Sequence, residues 1–173
     1  MSEWIPLTTP VGPVRGWLAR PERPPHGAVV VIQEIFGVNA HIRRVTDQFA
    51  QAGFTALAPA LFDALRPEVE LGYDEGGIAK GRELVAELGF EQALQIVSAS
   101  SRWLRESGHR VAAVGFCWGG TVAMLANTRQ GLTSVTYYGG RSVPFLGEPA
   151  RAPMLFHFGE RDPLIPPEDV QKH

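Results

Sequence analysis

The stretch Val111–Gly120, which reads VAAVGFCWGG, decides the fold of this 173-residue chain. It begins with an apolar run of the kind that forms a strand buried on both faces of a sheet. Its second half places Cys117 at the centre of a pattern with Gly115 two residues before it and Gly119 two residues after it. This spacing is typical of a sharp turn from a strand into a helix, with a nucleophile at the top of the turn. It predicts a strand at Val111–Phe116 followed directly by a helix.

Apolar runs and helical repeats alternate on both sides of this turn. The pattern predicts further strands at Val14–Ala19, Ala28–Ile32, Phe54–Ala58, Ser134–Tyr138 and Met154–Phe158, and helices at Asn39–Ala52, Ile78–Glu106 and Gly119–Thr128. Gly89 is a predicted break in the longest helix, and Asp63–Gly77 reads as a surface loop. Strands that alternate with helices over short links imply an α/β fold, with a mostly parallel sheet and helices on both faces.

The composition and charge of the chain limit the kinds of protein that it can be. The chain is 45% hydrophobic and 20% charged, as expected for one globular domain spanning residues 1–173. A net charge of −2 and a pI near 6.2 argue against nucleic acid or an anionic membrane as a partner. No apolar run approaches the length needed to cross a bilayer, and Met1–Pro6 lacks a signal-peptide pattern. One cysteine excludes an internal disulfide, and we expect a cytoplasmic location.

Cys117 has a functional and a structural interpretation. A lone cysteine in an apolar stretch is often an inert buried residue, and glycines after a strand can begin a phosphate-binding loop. The sequence here has neither Gly-x-Gly-x-x-Gly nor a Gly-Lys-Ser/Thr ending, which argues against phosphate binding. The start of a helix favours a thiolate, and the backbone N–H of Trp118 is placed to donate to an oxyanion. We therefore predict that Cys117 is a nucleophile.

Three blocks of sequence resemble the dienelactone hydrolase family of the α/β-hydrolase superfamily. They are Val31–His41 (VIQEIFGVNAH), Gly115–Gly120 (GFCWGG) and Phe156–Pro166 (FHFGERDPLIP), and their order and spacing agree with the family. The resemblance implies hydrolysis of lactones or small carboxylic esters through a cysteine nucleophile and a thioester acyl-enzyme. It implies a small-molecule substrate, no cofactor and no metal.

The resemblance also implies a role for individual residues. Cys117 matches the nucleophile of a Cys-His-Asp triad, and Asp162 matches the acid that orients the histidine. Glu34 matches a carboxylate that contacts the resting thiol and moves away when substrate arrives. The backbone N–H of Ile35 matches the second oxyanion donor beside that of Trp118. Each acid also has a structural alternative, because Asp-Pro is a common turn dipeptide and Glu34 can cap the following helix.

Substrate contacts are predicted less directly. Phe36 and Tyr138 lie near strand ends and can line a pocket, although aromatics in such positions are often part of the core. Arg82 is a candidate for binding a substrate carboxylate, although an arginine at such a site is usually a solvated charge.

The family pattern places the triad histidine in a loop well beyond the acid, but only eleven residues follow Asp162 here. The sequence therefore predicts a C-terminally truncated domain without the last strand, the last helix and the general base. The predicted helix that begins near Pro166 would contain His173, with nothing to direct His173 at Cys117. We expect a monomer in a full-length parent and self-association of a truncated chain through its exposed sheet edge.

A second class of function stays open, namely a binding or interaction module, or an inactive remnant, that retains the pocket without the base. Rapid acylation of Cys117 without turnover would favour this alternative over a hydrolase. A thiol redox protein is disfavoured, because there is no Cys-x-x-Cys and no second cysteine.

Overall fold

The computed structural model describes all residues from Met1 to His173, which form one seven-stranded sheet. The strands are β1 (Ser2–Thr9), β2 (Gly12–Ala19), β3 (Ala28–Ile32), β4 (Thr55–Pro59), β5 (Val111–Phe116), β6 (Thr133–Tyr137) and β7 (Met154–His157). Their order across the sheet is β1-β2-β4-β3-β5-β6-β7. The strands from β3 to β7 are parallel, whereas β1 and β2 form an antiparallel hairpin that pairs with β4.

Four α-helices and two short 3-10 helices connect the strands. The α-helices are α1 (Ala40–Gln51), α2 (Glu75–Glu106), α3 (Trp118–Gln130) and α4 (Pro167–Gln171), and the 3-10 helices are Leu61–Ala64 and Val143–Phe145. A larger apolar cluster joins α2 and α3 to one face of the sheet, and a smaller one joins α1 to the other face. Helices on both faces explain why the central strand β3 is fully buried and uniformly apolar. The predicted α/β fold is confirmed.

The helix boundaries follow from local chemistry. Asn39 caps α1, because its side-chain oxygen accepts hydrogen bonds from the backbone N–H groups of His41 and Ile42. Within α2, Gly89 has φ of +67°, a conformation that side chains disfavour, and the helix kinks there. The predicted break at Gly89 is confirmed.

Two features differ from the predictions. No strand was predicted before Val14, but β1 pairs along its whole length with β2. As a largely exposed edge strand, β1 lacks the apolar run that marks the buried strands. The prediction that His173 lies within the last helix was wrong, because α4 ends at Gln171. His173 instead packs its ring against Phe156 and Phe158.

Strand β7 forms the other edge of the sheet, and its outer side has no partner strand. Leu155 in this strand is 53% exposed, and Leu164 in the following loop is 80% exposed. Self-association through this edge stays a prediction. No helix in the structure combines the length and the apolar character that crossing a membrane requires.

Candidate active site

Cys117 lies in a tight turn between β5 and α3, at the carboxyl edge of the sheet where ligands bind in folds of this kind. Its backbone has φ of +55° and ψ of −122°, which is a strained conformation for a residue with a side chain. The turn is held from both sides, because the Cys117 N–H donates to the carbonyl of Tyr137 at 3.0 Å and its carbonyl accepts from Gly120 at 2.9 Å. The neighbouring strand and the new helix thus fix the position of the thiol.

The glycines around Cys117 are required by close backbone packing. A Cβ atom on Gly115 would overlap the carbonyl of Gly119, and one on Gly119 would overlap the carbonyl of Gln33. A Cβ on Gly120 would lie 2.8 Å from the carbonyl oxygen of Tyr137. The turn therefore lies so close to the loop after β3 and to the end of β6 that only glycine fits at these positions.

The groups around Cys117 shift the pKa of its thiol in opposite directions. Burial raises the pKa of the thiol, and the negative charges of Glu34 and Asp162 raise it further. The backbone N–H of Trp118 lowers the pKa by donating to the sulfur, and the charge of Arg141 also lowers it. The effects that raise the pKa prevail, so the thiol is predominantly protonated at neutral pH.

Glu34 is 8% exposed and is held by two tyrosine hydroxyls. Tyr73 donates to its Oε2 at 2.7 Å, and Tyr138 donates to its Oε1 at 3.1 Å. Burial of Tyr138, partial burial of Tyr73 (which is 57% exposed) and the nearby carboxylate raise the pKa of both phenols, which keeps both hydroxyls protonated as donors. The structure therefore places Glu34 beside Cys117, where it acts on the thiol through its charge and accepts hydrogen bonds from the tyrosines.

The loop that carries Glu34 is fixed by its backbone and by one buried amide. The Gln33 side chain is fully buried, donates to the carbonyl of Glu34 at 3.2 Å and accepts from the N–H of Leu61 at 3.0 Å. Helix α2 approaches the loop so closely that a Cβ on Gly81 would overlap the carbonyl of Ile35. This packing sets the position of Ile35, whose N–H makes no hydrogen bond within the chain.

Asp162 lies in the loop after β7 and is half-buried. Its Oδ1 accepts a hydrogen bond from the N–H of Leu164 at 2.8 Å, which is the turn interaction that the Asp-Pro dipeptide predicts. Its charge reaches Cys117 and raises the pKa of the thiol. The carboxyl ends of β3, β5 and β7 thus bring Glu34, Cys117 and Asp162 to one edge of the sheet.

None of the five histidines hydrogen-bonds Cys117 or Asp162. His173 bonds the Ser142 hydroxyl at 2.6 Å and the carbonyl of Asp169 at 2.8 Å. His157 stacks on Tyr137 with ring centroids 4.6 Å apart. His26 lies near Gly53, and His41 lies at the start of α1. His109 lies near Thr55.

The residues predicted to contact substrate have different surroundings. Phe36 is buried and packs against Tyr73 with ring centroids 4.4 Å apart, and Tyr138 bonds Glu34. Arg82 is exposed on α2 and makes no ion pair, so its role stays a prediction. No group of three or more histidine, cysteine, aspartate or glutamate side chains is placed to hold a metal ion.

Two residues that the structure brings to the site, Tyr73 and Arg141, were not predicted from the sequence. Tyr73 belongs to the segment interpreted as a surface loop, and it reaches Glu34 across 39 positions of sequence. Arg141 follows β6 in an irregular segment, and the adjacent Gly140 packs against Ile165 of the loop after β7. Neither residue lies in a motif or at a regular spacing from Cys117, so only the tertiary structure shows its proximity.

Known proteins share this arrangement of elements. The model of the dienelactone hydrolase family matches residues 14–173. A Synechocystis protein named for carboxymethylenebutenolidase is 30% identical over 175 residues, which cover 92% of this chain and 71% of that protein. The carboxymethylenebutenolidase of Pseudomonas putida is 31% identical over 157 residues, which cover 84% of this chain and 65% of that enzyme. The chain thus spans about two thirds of the length of these relatives.

A solved structure agrees with the sequence comparisons. The crystal structure of a Klebsiella pneumoniae protein named for dienelactone hydrolase superposes with a TM-score of 0.87 at 27% identity. The match covers 99% of this chain and 78% of that one. The mostly parallel sheet with helices on both faces is that of the α/β-hydrolases, and the chain belongs to the dienelactone hydrolase family.

Proposed function

We propose that this chain carries the nucleophile and oxyanion site of a hydrolase that cleaves lactones or small carboxylic esters through Cys117. The observation that carries the proposal is the geometry of Cys117, which is held in a strained turn at the start of α3, within reach of the Trp118 N–H. Strain of this kind is retained where it positions a reacting group. The relatives named for carboxymethylenebutenolidase support a lactone or ester of a small carboxylic acid as substrate.

The proposed reaction has two halves. The thiolate sulfur of Cys117 attacks the carbonyl carbon, and the carbonyl oxygen becomes an oxyanion that accepts from the N–H groups of Trp118 and Ile35. Collapse of this intermediate breaks the C–O bond and leaves a thioester on Cys117, and the departing alkoxide takes up a proton in place of the one that Cys117 lost. Attack by water on the thioester then releases the carboxylic acid and restores the thiol.

The proton of Cys117 needs an acceptor in the first half-reaction. The family resemblance assigns this task to a histidine oriented by Asp162, but none of the five histidines contacts either residue. An activated ester with a good leaving group does not need that base, because the thiolate formed at alkaline pH attacks it directly. The acylation step can therefore be tested separately from the complete cycle.

The experiment is a rapid-mixing measurement with p-nitrophenyl acetate at pH 8 to 9, in which the release of p-nitrophenolate is followed. We expect a burst of one nitrophenolate per chain, with a rate constant that rises with pH because the pKa of the thiol is raised. No burst above the uncatalysed rate at any pH would contradict the proposal.

The second candidate is a binding module that keeps the nucleophile without completing turnover. It is favoured by one observation, the absence of any histidine in contact with Cys117 or Asp162. The same experiment separates the candidates, because a burst followed by steady release supports a hydrolase and a burst without further release supports the binding module.

Arg141, rather than Arg82, is expected to attract anionic reagents to Cys117, because the charge of Arg141 reaches the thiol. The replacement Arg141→Gln should slow the alkylation of Cys117 by iodoacetate about threefold to tenfold more than alkylation by neutral iodoacetamide, an effect that added salt suppresses. The control Arg82→Gln should leave both rates unchanged. Equal sensitivity of the two variants would refute this assignment.

A further inference from the structure

The carboxylate of Glu34 is buried without a basic partner. Both of its oxygens are occupied, one by the hydroxyl of Tyr73 and the other by the hydroxyl of Tyr138. None of the ion pairs of the chain includes Glu34. A buried carboxylate needs donors for its oxygens, and here the phenols take the place of a cation.

Each phenol is held in place by a different part of the fold. Tyr138 directly follows β6 with φ of +43°, and its N–H donates to the carbonyl of His157 at 2.8 Å. Tyr73 packs on Phe36 and accepts a hydrogen bond from the Asn39 amide at 3.3 Å. The strained backbone at Tyr138 and the double contact of Tyr73 indicate that the hydroxyls are positioned for Glu34.

Cys117 lies next to the Glu34 loop but takes no part in these hydrogen bonds. Ile32 of β3 pairs with Gly115 of β5, so Glu34 and Cys117 each lie two residues beyond this pair. The charges of Glu34 and Cys117 both act on Tyr138, and the charge of Glu34 acts on Cys117, whereas no hydrogen bond joins the thiol to the carboxylate. The carboxylate is therefore close enough to influence the thiol while its oxygens are occupied elsewhere.

We propose that the hydroxyls of Tyr73 and Tyr138 are positioning groups that hold the Glu34 carboxylate off the Cys117 thiol, and so set the reactivity of the sulfur. The proposal rests on the proposed role of Cys117 as the nucleophile. It assigns the two tyrosines a task that is separate from binding substrate.

Removal of one hydroxyl has a definite consequence. In Tyr138→Phe, Oε1 of Glu34 loses its donor in a buried environment, and we expect the S–H of Cys117 to donate to it instead. A thiol that donates to a carboxylate is stabilised in its protonated form, so the pKa of Cys117 should rise. The other groups that face the thiol, Asp162, Arg141 and the N–H of Trp118, are unchanged in this variant.

The test is the rate of alkylation of Cys117 by iodoacetamide as a function of pH, which requires no turnover. For Tyr138→Phe we expect the midpoint of the pH–rate profile to move up by about one pH unit. The alkylation rate constant at neutral pH should then fall roughly tenfold. For Glu34→Gln we expect a lower midpoint, because the negative charge is removed. In the double variant Tyr138→Phe/Glu34→Gln, the loss of the hydroxyl should have no further effect.

Tyr137→Phe is the matched control, because the Tyr137 ring stacks on Phe116 while its hydroxyl makes no hydrogen bond. An unchanged or lowered midpoint in Tyr138→Phe would overturn the proposal, and so would an equal effect in the Glu34→Gln background. Alkylation reports on the thiol whether or not the chain hydrolyses esters. Failure of this proposal is therefore distinguishable from failure of the proposed function, which the ester burst measures.

Discussion

The replacement Cys117→Ala is expected to abolish the burst of nitrophenolate and any subsequent turnover of esters or lactones. The sulfur forms the covalent intermediate in the proposed reaction, and no second cysteine can replace it. Residual release should equal the rate in buffer alone. Rapid mixing of wild type and variant with p-nitrophenyl acetate at the same pH measures the effect directly.

The variant Cys117→Ser tests whether a hydroxyl can replace the thiol as nucleophile. A hydroxyl ionises far less readily than a thiol and depends on a general base, whose contribution is about 10²- to 10⁴-fold. Since no histidine contacts residue 117, the serine variant should be nearly as inactive as the alanine variant. Both variants keep a side chain at the strained φ of +55°, so their thermal midpoints should stay close to that of wild type. An undiminished burst in a folded Cys117→Ala protein would refute the mechanism.

Gly115→Ala is expected to destabilise the fold strongly. Its Cβ would overlap the carbonyl group of Gly119 and lie 2.9 Å from the backbone nitrogen of Gly120, all within the turn itself. Backbone atoms cannot move aside as a flexible side chain can, so the start of α3 has to shift. We expect a loss of about 3 kcal/mol or more in the free energy of unfolding, a large share of the total for a domain of this size.

Urea unfolding followed by tryptophan fluorescence measures this loss. Gly147→Ala is the matched control, since a Cβ there meets nothing within 4 Å and the backbone is not left-handed. The control should remain within about 0.5 kcal/mol of wild type. If Gly115→Ala unfolded at the same urea concentration as Gly147→Ala, the close packing described for the turn would be incorrect.

Much of the fold was predictable because the sheet is buried on both faces. Strands such as β3 and β5 are covered by helices, which requires continuous apolar runs, and these are easily recognised in sequence. Strand β1 was not predicted, because an edge strand is stabilised by backbone pairing and leaves little pattern in its side chains. Gly89 was recognisable because a glycine inside a helical repeat disfavours helix.

The residue pattern by itself indicated the candidate site only at the turn around Cys117, and the family resemblance added Glu34 and Asp162. The spacing of Gly115, Cys117 and Gly119 is a short motif that the sequence alone shows, although only the clash at Gly115 lies within the turn itself. The contact between Tyr138 and Glu34 joins residues 104 positions apart and depends on the pairing of strands, which no local pattern encodes. The charge of Arg141 was missed for the same reason.

His173 shows a different limit. The sequence correctly predicted the start of a helix near Pro166, where two prolines and two acids favour a first turn. The contacts of His173 were not predictable, because the hydrogen bond between His173 and Ser142 and the packing of the His173 ring on two phenylalanines involve other elements.

The central claim is that Cys117 forms a covalent acyl intermediate, and mapping of the acyl group tests it most directly. The chain would be mixed with p-nitrophenyl acetate, quenched in acid within the burst and digested for mass spectrometry. We predict one acetyl group per chain, located on the peptide that contains Cys117 and released by neutral hydroxylamine as expected of a thioester. An acetyl group on a lysine, a serine or the amino terminus, with Cys117 unmodified, would contradict the account.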